Sequence, residues 1–229
     1  GTYNFSNISY TVADIDGSTA VAGVSASITV ASGGGGGPGS GPGVPHVLNP
    51  LVLDLNHDGQ MHLISIDKGV MFDMTNDGVL DHTGWVAPED GQLAIDLNHN
   101  GIIDNQNELF GSPMGSPLDI NGFTELATYD DNGDGKVNAM DSVWSKLVVW
   151  QNLNQYEISQ ADEMKSVTEY QIASLDTHAT AANQEVAGNM IYWEGSATLN
   201  DGSSMSIADA YYQVIAGTDP GATSGTAPV

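Results

Sequence analysis

None of the 229 residues is a cysteine or an arginine, and only four are lysine, at Lys68, Lys136, Lys146 and Lys165. The chain therefore has no disulfide, no thiolate metal site and no cysteine nucleophile. Set against 29 acidic residues, those four cations leave a formal charge of −25. That balance excludes the basic surface which nucleic acid or an anionic membrane face would demand. No run of 18 apolar residues is present, so no spanning helix is written into the sequence and membrane insertion is not expected. The first residues, Gly1-Thr2, are followed by neither a basic n-region nor an apolar h-region, which we read as the mark of a fragment from a longer exported protein.

What the chain does hold is 40% apolar residues, enough for a buried core, and an acidic surplus that would repel itself on compaction unless cations lie among the carboxylates. Four loops of the form D-x-[NT]-x-[DN]-G, at 54–59, 73–78, 96–101 and 130–135, have the spacing of a calcium loop. Such a loop presents side-chain oxygens from positions one, three and five, turns on a glycine at six, and adds a carbonyl at seven and oxygens at nine and twelve. Ca²⁺ is thus the expected cofactor.

The loops differ in completeness. Residues 130–141 follow the EF-hand pattern throughout, with Asp130, Asn132 and Asp134, the Lys136 carbonyl, Asn138 and a closing Asp141. Loop 96–108 offers Asp96, Asn98, Asn100, the Ile102 carbonyl and Asp104, and closes one residue late at Glu108. The other two, Asp54, Asn56 and Asp58, and Asp73, Thr75, Asp77 and Asp81, lack a closing acid in the usual place, so further oxygens must come from elsewhere, for example Glu89 or Asp90. A fifth segment, 152–163, keeps Asn152, Asn154 and Glu163 but carries Tyr156 and Glu157 where an oxygen and the turn glycine belong, and we expect it to be empty. His57 and His99 share position four of a repeated motif, which points outward, and no paired histidine or cysteine supports zinc.

Along the chain, residues 3–31 alternate with period two around Asp14-Ile15-Asp16-Gly17 and read as a β-hairpin, which cannot stand alone and is inferred to be the edge of a split β-sandwich. We assign 1–31 to that hairpin, 32–47 to a Gly/Pro linker, 48–215 to the calcium-dependent module and 216–229 to a tail. VLDLNHDGQ at 52–60 recurs as AIDLNHNGI at 94–102, a short strand delivering its last residue into each loop. Between 120 and 171 the apolar period looks helical, so the expected fold class is α+β, with calcium-loop β-hairpins and an EF-hand-like helix pair. Asn200-Asp201-Gly202 marks a further hairpin. Trp85, Trp144, Trp150 and Trp193 sit among apolar neighbours and read as core.

PLVLDLNHDG (50–59), MFDMTNDGVLDHTGWV (71–86), DGQLAIDLNHNGIIDNQNELFG (90–111) and VWQNLNQ (149–155) resemble the FrpC-like self-processing module of RTX-type proteins, and a similar module in giant bacterial surface adhesins. The first branch implies calcium-triggered breakage of an Asp-Pro bond at the module's start, followed by joining of the freed aspartyl carboxyl to a lysine. The corresponding bond here is Asn49-Pro50, whose amide side chain cannot form the anhydride that this chemistry uses. The adhesin branch implies a calcium-dependent extracellular domain, type I secreted, that binds a peptide or protein ligand on another cell. With so anionic a surface, a ligand's C-terminal carboxylate could approach only through bound metal. On this reading the chain is a monomeric part of a longer surface protein, and no catalytic residue is expected.

Overall fold

The computed structural model describes residues 2–13, 19–29, 49–111, 120–155 and 158–217, with backbone alone for the first two segments. The expected turn at Asp14–Gly17, the linker, Tyr156 and Glu157, and most of the tail lie outside the described residues. Two compact units are present, residues 1–44 and 45–229. In the first, β1 (Thr2–Ala13) and β2 (Thr19–Thr29) pair antiparallel, with one register shift between Phe5 and Ile8.

The second unit is β-sheet almost throughout. Its strands are β3 (Leu51–Leu53), β4 (Leu63–Ile64), β5 (Val70–Phe72), β6 (Asp81–Thr83), β7 (Trp85–Val86) and β8 (Gly91–Ile95). After the loops come β9 (Lys136–Asn138), β10 (Leu147–Trp150), β11 (Met164–Ser166), β12 (Ile172–Asp176), β13 (Thr180–Val186), β14 (Asn189–Leu199), β15 (Ser204–Tyr211) and β16 (Val214–Ile215). A curled antiparallel sheet runs β11-β10-β8-β3-β15-β14-β12-β9, with β13 added on β14. Small sheets β16-β6-β5 and β4-β7 lie beside it.

Strands β3 and β10 are apolar at every position because both faces of the sheet are covered. Alternate residues sort into two cores: Leu51, Leu53, Leu93, Leu147, Val149 and Ile207 on one side, Val52, Ala94, Trp150, Ala208 and Ala210 on the other. The second of these cores is built around Phe72, Trp85, Trp150 and Tyr212, with ring centroids 5.0–5.8 Å apart. Trp85 and Trp150 are fully buried, whereas Trp144 and Trp193 pack half-buried against the first core.

The α+β expectation is wrong: there is one short helix, α1 (Gly122–Ala127), and no EF-hand helix pair among the described residues. Asn121 caps α1 through a reciprocal capping box with Thr124, but Thr128 already closes it after six helical residues. Beyond the 130–141 loop, Val143, Trp144, Leu147 and Val148 have helical spacing; instead a single 3-10 turn at Trp144–Lys146 leads straight into β10. The reason is burial on two faces. A short, fully apolar run satisfies helical spacing by default, yet Leu147 and Val149 face one core while Val148 and Trp150 face the other. The second expected helix, near 161–172, is β11 and a series of turns. Of the four loops, only 73–78 joins two strands that pair with each other, β5 and β6, so the remaining loops are connections and not hairpins. No described helix is long and apolar enough to cross a membrane.

Candidate metal loops and the Asn49 junction

All four acidic loops take one backbone course. Position four lies in the left-handed region in each (His57 φ 58°, Asn76 54°, His99 59°, Gly133 72°), and so does the glycine at position six (Gly59 78°, Gly78 82°, Gly101 85°, Gly135 84°). That course turns the position-one carboxylate onto the loop's own amides. Asp54 Oδ2 accepts from Gly59 N–H at 2.8 Å, Asp73 from Gly78 at 2.9 Å, Asp96 from Gly101 at 2.9 Å and Asp130 from Gly135 at 2.8 Å. The position-three oxygens of Asn56, Asn98 and Asn132 accept from the N–H two residues on, as do the position-five oxygens of Asp58, Asp77, Asn100 and Asp134. The N–H groups of Ile102 and Lys136 are the donors in two of these bonds; the Lys136 side chain pairs with Asp176 at 3.1 Å.

The closing acids are buried and reach back to the start of their loops. Asp141 accepts from Asp131 N–H at 2.9 Å and Asn138 N–H at 2.8 Å, and Glu108 from Leu97 N–H at 3.2 Å and Asp104 N–H at 3.1 Å. Asp81 accepts from Met74 and Thr75, each at 3.0 Å, and from Gly217 at 2.8 Å. The first loop takes its closing acid from the residue just before β8. Because β3 and β8 pair antiparallel with Leu53 opposite Gly91, Asp90 comes beside Asp54 and accepts from His62 N–H, the ninth residue of that loop, at 2.7 Å. Burial is the chief reason that the Asp90 carboxyl is pushed up to about 6, and that Glu108 is also raised. His62 itself lies 3.4 Å from Asp90 and 3.5 Å from Asp58.

Do these residues suit a hard divalent cation? The donors are oxygens throughout, and two buried oxygens, Thr75 Oγ1 at position three of its loop and Asp90 Oδ1, have no hydrogen-bond partner. Both facts fit Ca²⁺. No three Asp, Glu or His side chains among the described residues converge as a closed cage, since the carboxylates are turned to backbone N–H groups. The 152–163 segment differs. Glu163 there accepts from Leu153 N–H (2.9 Å), Asn154 N–H (3.1 Å), Gln160 N–H (3.2 Å) and the Trp150 indole N–H (3.4 Å), a set that includes a side-chain donor.

A second constellation surrounds the Asn49-Pro50 bond. Asn49 is 1% exposed, and its Nδ2 donates to Asp209 Oδ2 at 3.0 Å. Asp209 is fully buried and accepts a further bond from Gly122 N–H, at the start of α1, at 3.1 Å. Burial pushes its carboxyl up to about 7, against the opposing effect of Asn49, Gly122 and Tyr211 as hydrogen-bond donors. Nearby, a cavity of about 290 Å³ is lined by Leu109, Gly111, Ile120 and Glu125, whose carboxyl accepts from Gly111 N–H at 2.7 Å and is pushed up to about 7 by burial. Gly111 is required here, because a Cβ would lie 2.7 Å from the Asn49 carbonyl oxygen. Sequence reasoning missed Asp209; its one signal was an acid inside the apolar run Ile207-Ala208-Asp209-Ala210-Tyr211.

Residues 51–213 match the family model of the SPM domain. The chain is also 41% identical, over 172 residues, to the iron-regulated protein FrpA of Neisseria meningitidis serogroup C. That alignment covers 73% of this chain and 15% of FrpA, so the chain spans only a small part of the relative's length.

Proposed function

The chain belongs to the SPM domain family, with kinship to FrpA-type proteins, and from that premise we propose that it is a calcium-folded binding module of an exported bacterial RTX adhesin. The observation that carries this reading is the shared geometry of the four loops, each with an acid at position one turned onto the amide of its own turn glycine and a buried closing acid for it to work with, as in Asp54 with Asp90 or Asp130 with Asp141. Bound there, Ca²⁺ would supply the positive charge that lets a −25 chain condense. Without it, the exposed oxygens at positions three and five are held only by groups of their own loops. Binding free energy would then be folding free energy.

The ligand follows from the same charge. An anionic partner is repelled by this surface except where metal is exposed, so the ligand is a peptide or protein segment whose free C-terminal carboxylate completes the coordination of an ion. In this reading the module acts at the bacterial cell surface, attaching the cell to other cells or surfaces, and does no chemistry itself. Calorimetry in calcium with a peptide bearing a free C-terminus and with its amide tests this; the amide should bind at least tenfold more weakly, and equal affinities would end the proposal.

One observation favours a second reading. Asn49 is buried against an acid at the bond where FrpC-like modules are cut, as if a self-processing centre were silenced by an amide. Incubating Asn49→Asp with calcium should then release a fragment beginning at Pro50, and an intact chain would dismiss this reading.

A further inference from the structure

We propose that the Asn49 junction keeps the proton-holding half of a cleavage centre: Asp209 is the positioning residue that would keep an acidic side chain at position 49 protonated, and here it clamps the Asn49 amide instead. The consequence for cleavage rests on the second reading above, while the pairing itself rests on geometry alone.

Three observations lead to it. Strand register brings the two residues together, because β15 pairs antiparallel with β3, Asp209 opposite Leu51, and Ala210 N–H donates to the Pro50 carbonyl at 3.0 Å. Both side chains are shut off from water, at 1% and 0% exposure. The remaining described groups that act on Asp209 are the Gly122 N–H of α1 and the Tyr211 hydroxyl of β15, with the Tyr192 ring of β14 packed 4.8 Å from that of Tyr211. No lysine or histidine is among them. Two carboxyls facing each other at about 3.0 Å in such a place cannot both ionise, so they share one proton well above the usual carboxylate range.

That shared proton is what the cleavage chemistry needs. A carboxyl oxygen at position 49 bonds to its own main-chain carbonyl carbon, and the bond from that carbon to the Pro50 nitrogen breaks. The carboxyl proton ends on the Pro50 nitrogen, leaving a cyclic anhydride on one fragment and a secondary amine on the other. An ionised carboxylate has no proton to give, so the step would fade as pH rises through the pair's upper titration. With an amide at position 49 the same Asp209 simply ties the start of β3 to α1.

The test compares Asn49→Asp with Asn49→Asp/Asp209→Asn, both in calcium. The single variant should cleave up to neutral pH; the double variant, whose new amide donates to the position-49 carboxylate, should show a pH profile moved to lower pH and at least tenfold slower cleavage at pH 7. Identical profiles would overturn the role of Asp209. If neither variant cleaves, carbon-detected NMR titration of Asn49→Asp still decides the pairing: one carboxyl must titrate far above the other, and two ordinary titrations would refute it. Should Asn49→Asp not fold, Asp209→Asn in the native chain remains. The Asn49 side-chain NH₂ should then lose at least tenfold in exchange protection while the Leu53 and Ile207 amides keep theirs, and unchanged protection would overturn the clamp.

Discussion

Replacing Glu163 by glutamine should destabilise the module to the same extent at every calcium concentration. The carboxylate is 3% exposed and accepts four N–H groups, two on each oxygen. Glutamine keeps one acceptor oxygen and turns an NH₂ toward the other pair, leaving two buried donors without partners. At about 1–3 kcal/mol for each, the cost is about 4 kcal/mol, a large share of the 5–15 kcal/mol that is typical of a whole domain. For a domain of this size that corresponds to a fall in Tm of roughly 8–16 °C. Asp141→Asn supplies the contrast. It loses comparable bonds from Asp131 and Asn138, and in addition weakens an ion site, so its cost should grow by about 1.4 kcal/mol for each tenfold rise in free calcium once the native site is saturated. Urea unfolding followed by near-ultraviolet circular dichroism, at a low and a high calcium concentration, separates the two. A Glu163→Gln cost that also climbs with calcium would make 152–163 a metal loop and refute the reasoning.

Chelation by EDTA should lower the native Tm steeply, since about 4 kcal/mol per ion is at stake at a thousandfold excess over its dissociation constant; calorimetric scans with an unchanged Tm would contradict calcium-dependent folding. Gly69→Ala should cost about 3 kcal/mol by overpacking, because its Cβ would lie on the Thr83 carbonyl oxygen, where β5 and β6 meet and hold the 73–78 loop between them; urea midpoints measure it. Glu125 is raised to about 7 in the folded chain from an ordinary 4.5, so the folded state binds its proton more tightly than the unfolded state does. Its contribution to stability is therefore complete below about 4.5 and is lost as pH rises through 7. Glu125→Gln should remove that slope, and the stability of the variant relative to the native chain, from urea unfolding at several pH values, should increase between pH 4.5 and 7.

The acidic loops were legible in the sequence because their bonds are local. A carboxylate that accepts from the amide five residues on, as Asp54 does from Gly59, needs nothing from the rest of the fold. The helix pair was misread for the opposite reason. Whether Leu147-Val148-Val149-Trp150 becomes helix or strand depends on having apolar partners on one face or two, and those partners, such as Phe72 and Trp85 against Trp150, come from far off in sequence. Asp90 stood among the candidate donors for the incomplete loops, but only the pairing of β3 with β8 joins it to the first loop in particular.

By themselves, the residues determined the turn geometry of the loops, the supply of hard oxygen donors and the absence of thiol chemistry, since each follows from side-chain type or spacing within a few positions. The tertiary structure alone decided which acid closes which loop, and that Asp209 faces Asn49 across 160 residues of chain. Strand register sets those distances, and register is chosen by how the two cores pack on either side of one sheet.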